Sequence, residues 1–114
     1  SAGKTQFQLK QDAGGIVDIE FMVQYLVLAH SAQHPSLLQW TDNVRLLSTL
    51  GALEKLQASQ SEALTQAYIA YRSLAHRRAL QNQKLLLTPS ELDQAELSTH
   101  IQTVKTLWNE IMEA

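Results

Sequence analysis

The sequence predicts an all-α fold: a bundle of four to five helices packed around a buried central first helix. Three observations predict it. The 114 residues include only 4 Gly and 2 Pro, too little punctuation for the many tight turns of an all-β chain. Ile16 to Ser31 carries Ile16, Val17, Ile19, Phe21, Val23, Leu26, Val27 and Leu28 on nearly every side, the pattern of a helix enclosed by others. Leu97, Ile101, Val104, Trp108 and Ile111 recur at steps of four and three, which makes a single buried seam. Hydrophobic residues make up 45% of the chain and charged residues 18%. A single domain of this length can therefore bury roughly two-thirds of its unfolded surface.

Taken in order, Phe7-Gln8-Leu9-Lys10 alternates but is too short to build a sheet alone. Asp12-Ala13-Gly14-Gly15 breaks the chain and Ile16 starts the first helix, for which length decides against a strand. Gln33-His34-Pro35-Ser36 ends it, since Pro35 cannot continue a helix and restricts His34 as well. Leu37 to Trp40 reads as a single turn. Thr41 is expected to cap a second helix through Leu50, with Asp42 beside its positive end and Gly51 as its stop. Ala52 to Ala58 is ambiguous. Ser59-Gln60-Ser61-Glu62 matches a capping box and opens a helix to about Gln83, with Leu64, Ala67, Tyr68, Tyr71, Leu74 and Ala75 on one face. Lys84-Leu85-Leu86-Leu87 links onward. Thr88-Pro89-Ser90-Glu91 supplies a cap, a proline at the first helical position and a glutamate at the third, opening the last helix.

Composition excludes several function classes. Nine Lys+Arg against 11 Asp+Glu give a net charge of −2, so no dedicated nucleic-acid surface is expected. Without cysteine there is neither a disulfide framework nor a thiolate zinc site, which suits a reducing compartment. Asp18, Glu20, Gln24 and His30 interrupt the most apolar stretch, which is not a membrane span. With no basic leader the chain reads as cytoplasmic. Residues 1–6 read as a cloning scar and linker, residues 7–114 as the helical domain, and the polar start fits a piece of something longer.

The unusual feature is Gly14-Gly15-Ile16-Val17-Asp18-Ile19-Glu20-Phe21. Two glycines before a helix let a substrate or another backbone approach the amide donors of its first turn, where anions are favoured, and Lys10 adds a nearby cation. The alternative is that the glycines only make the turn. The spacing fits neither a P-loop nor a dinucleotide fingerprint. Asp18 and Glu20 invite a paired-carboxylate reading, but residues two apart on a helix lie roughly 200° apart and point to opposite sides. On a buried helix each must be hydrogen-bonded or ion-paired, with Arg45, Arg72, Arg77 and Arg78 available, or sit at the edge of a site. His30 and His34 have metal-ligand spacing but no third ligand nearby. Arg72 with His76-Arg77-Arg78 reads as a solvated basic strip, and Trp40, Tyr68, Tyr71 and Trp108 as core. No nucleophile–base set stands out, and the Gly-Ser with two alternating aspartates of nucleotidyl transfer is absent.

Phe7-Gln8-Leu9-Lys10, then Gly14-Gly15-Ile16-Val17-Asp18-Ile19-Glu20-Phe21, then Gln24-Tyr25-Leu26-Val27-Leu28 together resemble the glutamine synthetase adenylyltransferase family. Trp40-Thr41-Asp42-Asn43-Val44-Arg45, Leu64-Thr65-x-Ala67-Tyr68 with Arg72 and His76, Ala79-Leu80-Gln81 and the late Trp108 extend the resemblance to the end of the chain. Val17-Asp18 is similar to the C-terminal, adenylylating half of that bifunctional enzyme, rather than to the half with Arg-Glu at this place. The resemblance implies a helical domain following the C-terminal nucleotidyltransferase domain, with the catalytic aspartates upstream and no transfer of AMP by this chain alone. It implies Mg2+ and ATP as cofactors of the parent enzyme, none bound here, and glutamine synthetase, the PII signal protein and the upstream domain as partners. Lys10, Gly14, Gly15, Asp18 and Glu20 carry over as site-edge candidates. The alternative is a non-catalytic module that binds glutamine synthetase or PII. Full burial of Phe7–Lys10 and Leu85–Leu87 favours that module, and an exposed apolar patch there favours a covered neighbour-domain face.

Overall fold

The computed structural model describes residues 5–113, so residues 1–4 of the expected scar and linker lie outside it. Five α-helices and a minimal strand pair make up the described chain. They run as β1 (Phe7–Gln8), α1 (Ile16–His30), a 3-10 turn (Pro35–Gln39), α2 (Asn43–Ala52), α3 (Ala58–Leu80), β2 (Leu86–Leu87), α4 (Pro89–Gln94) and α5 (Ser98–Met112). The predicted all-α bundle is what forms.

Helix α1 packs against α2, α3, α5 and the 3-10 turn. Its Ile16, Ile19, Met22, Val23, Leu26 and Val27 are buried, each large side chain contributing about 1.5–3 kcal/mol by leaving water. The apolar character on its remaining side has a different fate, since Phe21, Tyr25 and Leu28 are exposed. These positions lie within about 60° of one another on the helix wheel and form one outward stripe.

β1 pairs antiparallel with β2, Phe7 opposite Leu87 and Gln8 opposite Leu86. Two residues per strand cannot hold themselves together. Leu9 and Leu87, both enclosed in the core, do it for them. Phe7 and Leu85 pack partly buried against that core. The two apolar segments therefore cover each other instead of forming an exposed patch.

Several helix boundaries differ from the sequence reading, for local reasons. Asp42, not Thr41, caps α2, accepting a hydrogen bond from the Val44 amide at 3.0 Å. Gly51 does not stop α2, which continues through it to Ala52; Gly51 itself lies against Ser61 of α3. The hydroxyl of buried Ser61 donates to the Leu47 carbonyl at 2.8 Å. Helix α3 begins earlier than Ser59: Gln57 is its cap, and its amide donates to the Gln60 side chain at 3.0 Å. The expected single last helix is two, α4 and α5, broken at Ala95–Leu97.

Three helix ends share one closure. Glu54, Asn82 and Glu96 adopt φ of 60°, 54° and 59° after α2, α3 and α4. The following amides reach back to close each helix, Lys55 to Leu50 O, Gln83 to Arg78 O and Leu97 to Leu92 O, at 2.8–2.9 Å. Left-handed backbone is tolerated by asparagine but costs more for glutamate. Sequence signals therefore fit the end of α3 and miss the ends of α2 and α4.

Candidate functional site

The site candidates gather where β1 turns into α1. Gly15, in extended conformation, precedes α1, and no side chain caps the helix there. The amides of Ile16 and Val17 instead donate to the carbonyls of Leu9 and Lys10, each at 2.9 Å, and Gly15 N donates to Asp12 O at 2.9 Å. The first two helical donors are thus taken by the chain's own backbone. That approach requires glycine. A Cβ on Gly15 would overlap the Leu9 carbonyl oxygen and come within 3.0 Å of Asp12 O. Gly14 has φ of 87°, and a Cβ on it would lie 2.8 Å from both the Ile101 side chain and its carbonyl. The glycine pair thus lets another stretch of the chain's own backbone, at Leu9 and Lys10, approach the donors.

Asp18 stands at the third position of α1 and reaches back, its Oδ2 accepting from the Gly14 amide at 2.8 Å. A carboxylate there also suits the positive end of the helix. The Gly-Gly-x-x-Asp spacing is what this contact needs. Half-buried Asp18 lines a cleft of about 420 Å³ with Ala13, Lys105, Trp108 and Asn109. Lys105, Trp108 and Asn109 share one face of α5, a spacing visible in the sequence, whose apolar seam places Trp108 in the core. Trp108 is half-buried, and Leu107 takes the enclosed place below it.

Glu20 lies elsewhere. Its Oε2 accepts from the Tyr68 hydroxyl at 3.4 Å, and that hydroxyl accepts from Asn43 Nδ2 at 3.1 Å. It lines a shallower groove of about 270 Å³ with Val17, Phe21 and Gln24. The two carboxylates therefore serve different sides of α1, as the helical angle requires, and both take hydrogen bonds instead of the arginines. Arg78 pairs with Glu91 at 2.9 Å and donates to Lys84 O and Leu86 O. Arg45 stacks over Trp40 at 4.5 Å. Exposed Lys10 contributes its carbonyl to α1, while its side chain borders a depression with Gln8, Gln11, Leu85 and Leu86. Gly14, Gly15 and Asp18 are thus brought together, and the side chains of Lys10 and Glu20 stand apart from them.

Tyr71 completes the arrangement. Fully enclosed on α3, it donates its hydroxyl to Gly14 O at 2.7 Å and meets His100 edge-on at 6.3 Å. Burial, then the Asp18 carboxylate, holds its phenol well above the ordinary tyrosine range, so it remains a donor at every working pH. Sequence periodicity places Tyr71 in the core correctly but gives no sign of its partner. Among the described residues, no group of three His, Asp or Glu is arranged to hold a metal ion, and no helix is long and apolar enough to cross a membrane.

Comparison with known proteins adds a lineage to this geometry. A family model described as GlnD PII-uridylyltransferase matches residues 1–111. The chain is also similar to proteins named bifunctional glutamine synthetase adenylyltransferase/adenylyl-removing enzyme. That of Pseudomonas putida is 45% identical over 105 residues, 92% of this chain and 10% of the relative. That of Pseudomonas syringae pv. tomato is 61% identical over 77 residues, 68% of this chain and 8% of the relative. That of Thioalkalivibrio sulfidiphilus is 41% identical over 113 residues, 99% of this chain and 11% of the relative. The chain spans about a tenth of the length of these relatives.

Proposed function

Because the chain belongs to the GlnD PII-uridylyltransferase family, and is a segment of the glutamine synthetase adenylyltransferase type within it, we propose that it is the helical domain following the C-terminal nucleotidyltransferase domain of such an enzyme. In this reading it lines the edge of the site that transfers AMP to glutamine synthetase in the cytoplasm. It supplies shape and contacts, and the catalytic aspartates belong to the neighbouring domain. Lys10, Gly14, Gly15, Asp18 and Glu20 are its site-edge residues. Glutamine synthetase and PII are the partners of the whole enzyme.

One observation carries the reading. The turn into α1 ties the Gly14 amide to the Asp18 carboxylate and the Gly14 carbonyl to Tyr71, which holds Asp18 at the mouth of a cleft. From there the exposed stripe of Phe21, Tyr25 and Leu28 runs along the same helix, an apolar surface suited to a neighbouring domain. ATP and Mg2+ are assigned to that neighbour. In support, the amides of Ile16 and Val17 already donate to the carbonyls of Leu9 and Lys10. The test is Asp18→Asn in the full-length enzyme. Adenylylation of glutamine synthetase should fall about tenfold, roughly 1.4 kcal/mol of transition-state stabilisation. Unchanged turnover would remove Asp18 from the site.

A second reading, a module whose whole role is to bind glutamine synthetase or PII, has one observation in its favour. Leu9 and Leu87 are buried, and Phe7 and Leu85 pack partly buried against the core. Residues 7–113 alone, titrated with labelled PII and with glutamine synthetase, should show no saturable binding if the first reading holds. Micromolar binding to either favours the second.

A further inference from the structure

Gly14 is gripped from three helices at once. Its amide donates to Asp18 on α1 and its carbonyl accepts from Tyr71 on α3. Ile101 and Lys105 of α5 lie so close that a methyl group would not fit between. The residue is held at φ of 87°, a conformation with no intrinsic preference in glycine, so the hydrogen bonds at its two ends are what select it. The Tyr71 hydroxyl reaches Gly14 from inside the bundle: the side chain is fully enclosed, and its ring meets that of His100 edge-on.

We propose that Tyr71 is a positioning residue for the reaction at this site, acting through Gly14 to hold the Asp18 carboxylate in place. The inference rests on the site-edge reading of Asp18 and adds a residue that no part of the glycine–carboxylate motif contains. The physical argument is short. Without the hydroxyl, Gly14 O loses its buried partner, and the peptide either side of Gly14 can rotate to find another. Rotation moves the Gly14 amide, and Asp18 loses the donor that aims it. A displacement of an ångström in a positioned group is enough to cost up to about a hundredfold in rate.

The experiment uses the full-length enzyme with Tyr71→Phe, Asp18→Asn, the double variant, and Thr88→Ala. The last removes a helix cap at α4, far along the chain from the motif, and serves as a control for general loss of stability. Turnover and the KM for glutamine synthetase are measured where circular dichroism shows each variant fully folded. Tyr71→Phe keeps the ring and its contact with His100. It should lower kcat about 5- to 20-fold with little change in KM, while Thr88→Ala leaves kcat alone. Because both residues act through one carboxylate, the double variant should be no slower than Asp18→Asn. The proposal is overturned if Asp18→Asn is impaired but Tyr71→Phe keeps wild-type kcat, if the two losses multiply, or if Thr88→Ala slows the enzyme equally. If Asp18→Asn is itself unimpaired, the site-edge reading fails first and takes the positioning role with it.

Discussion

The chain enters helices α1 and α4 in two different ways. At α4 the capping hydrogen bonds are local, with Arg78 of α3 added beside Glu91. The Thr88 hydroxyl accepts from the Glu91 amide at 3.2 Å, and the Glu91 carboxylate accepts from the Thr88 amide at 2.9 Å. Proline at the first helical position has no amide to satisfy. At α1 no side chain caps the helix. The donors go to the carbonyls of Leu9 and Lys10, and Tyr71 anchors the turn from α3. An entry closed by its own side chains can form wherever its four residues go. An entry closed by backbone and distant contacts exists only when the whole bundle is assembled.

The contrast can be broken at several points. Gly15→Ala should have the largest effect, because the methyl group meets backbone oxygens that cannot swing aside. A loss of about 3 kcal/mol or more is expected, read as a fall in the thermal midpoint of this chain by more than about 10 °C. A loss under about 1 kcal/mol would show the turn to be soft and erase the distinction. Thr88→Ala should cost about 1 kcal/mol, the ordinary value of a helix cap. Urea denaturation would reveal it, and a loss as large as that of Gly15→Ala would mean that α4 too depends on tertiary contacts.

The smallest effect concerns pH. The Thr88 amide, then Arg78, lowers the pKa of the exposed Glu91 carboxyl below its usual range. A depressed carboxylate pKa stabilises the fold above the ordinary glutamate value near 4.3. That contribution fades as pH falls through the lowered folded value. The stability gap between the wild-type chain and Glu91→Gln should therefore be present at pH 7 and shrink at about pH 3. A gap independent of pH would assign the cap to hydrogen bonding without charge.

Legibility in the sequence follows the same division. Thr88-Pro89-Ser90-Glu91 could be read directly because each interaction joins residues within one turn. The inward face of α3, and Ile101 and Val104 in the seam of α5, are legible because periodicity reports burial, whereas Leu107 takes the enclosed place read for Trp108. The splitting of α4 from α5 was not legible, since Glu96 takes a left-handed conformation without the glycine that would announce it. Around the site, helical angle alone separated Asp18 from Glu20. The partners it suggested, the arginines, were replaced by a backbone amide and a tyrosine hydroxyl. Charge complementarity is visible in a sequence, but proximity is not, and a half-buried carboxylate needs only donors within reach.

The sequence by itself determined the fold class, the inward face of α3, the cap of α4 and the opposed directions of Asp18 and Glu20. Each depends on residues within a turn or two of one another. Tertiary structure alone decided what the two glycines are for. Their backbone lies against Leu9, Ile101 and Tyr71, residues from β1's end, α5 and α3. Glycine is required by what surrounds it, and those surroundings come together only when the chain has folded.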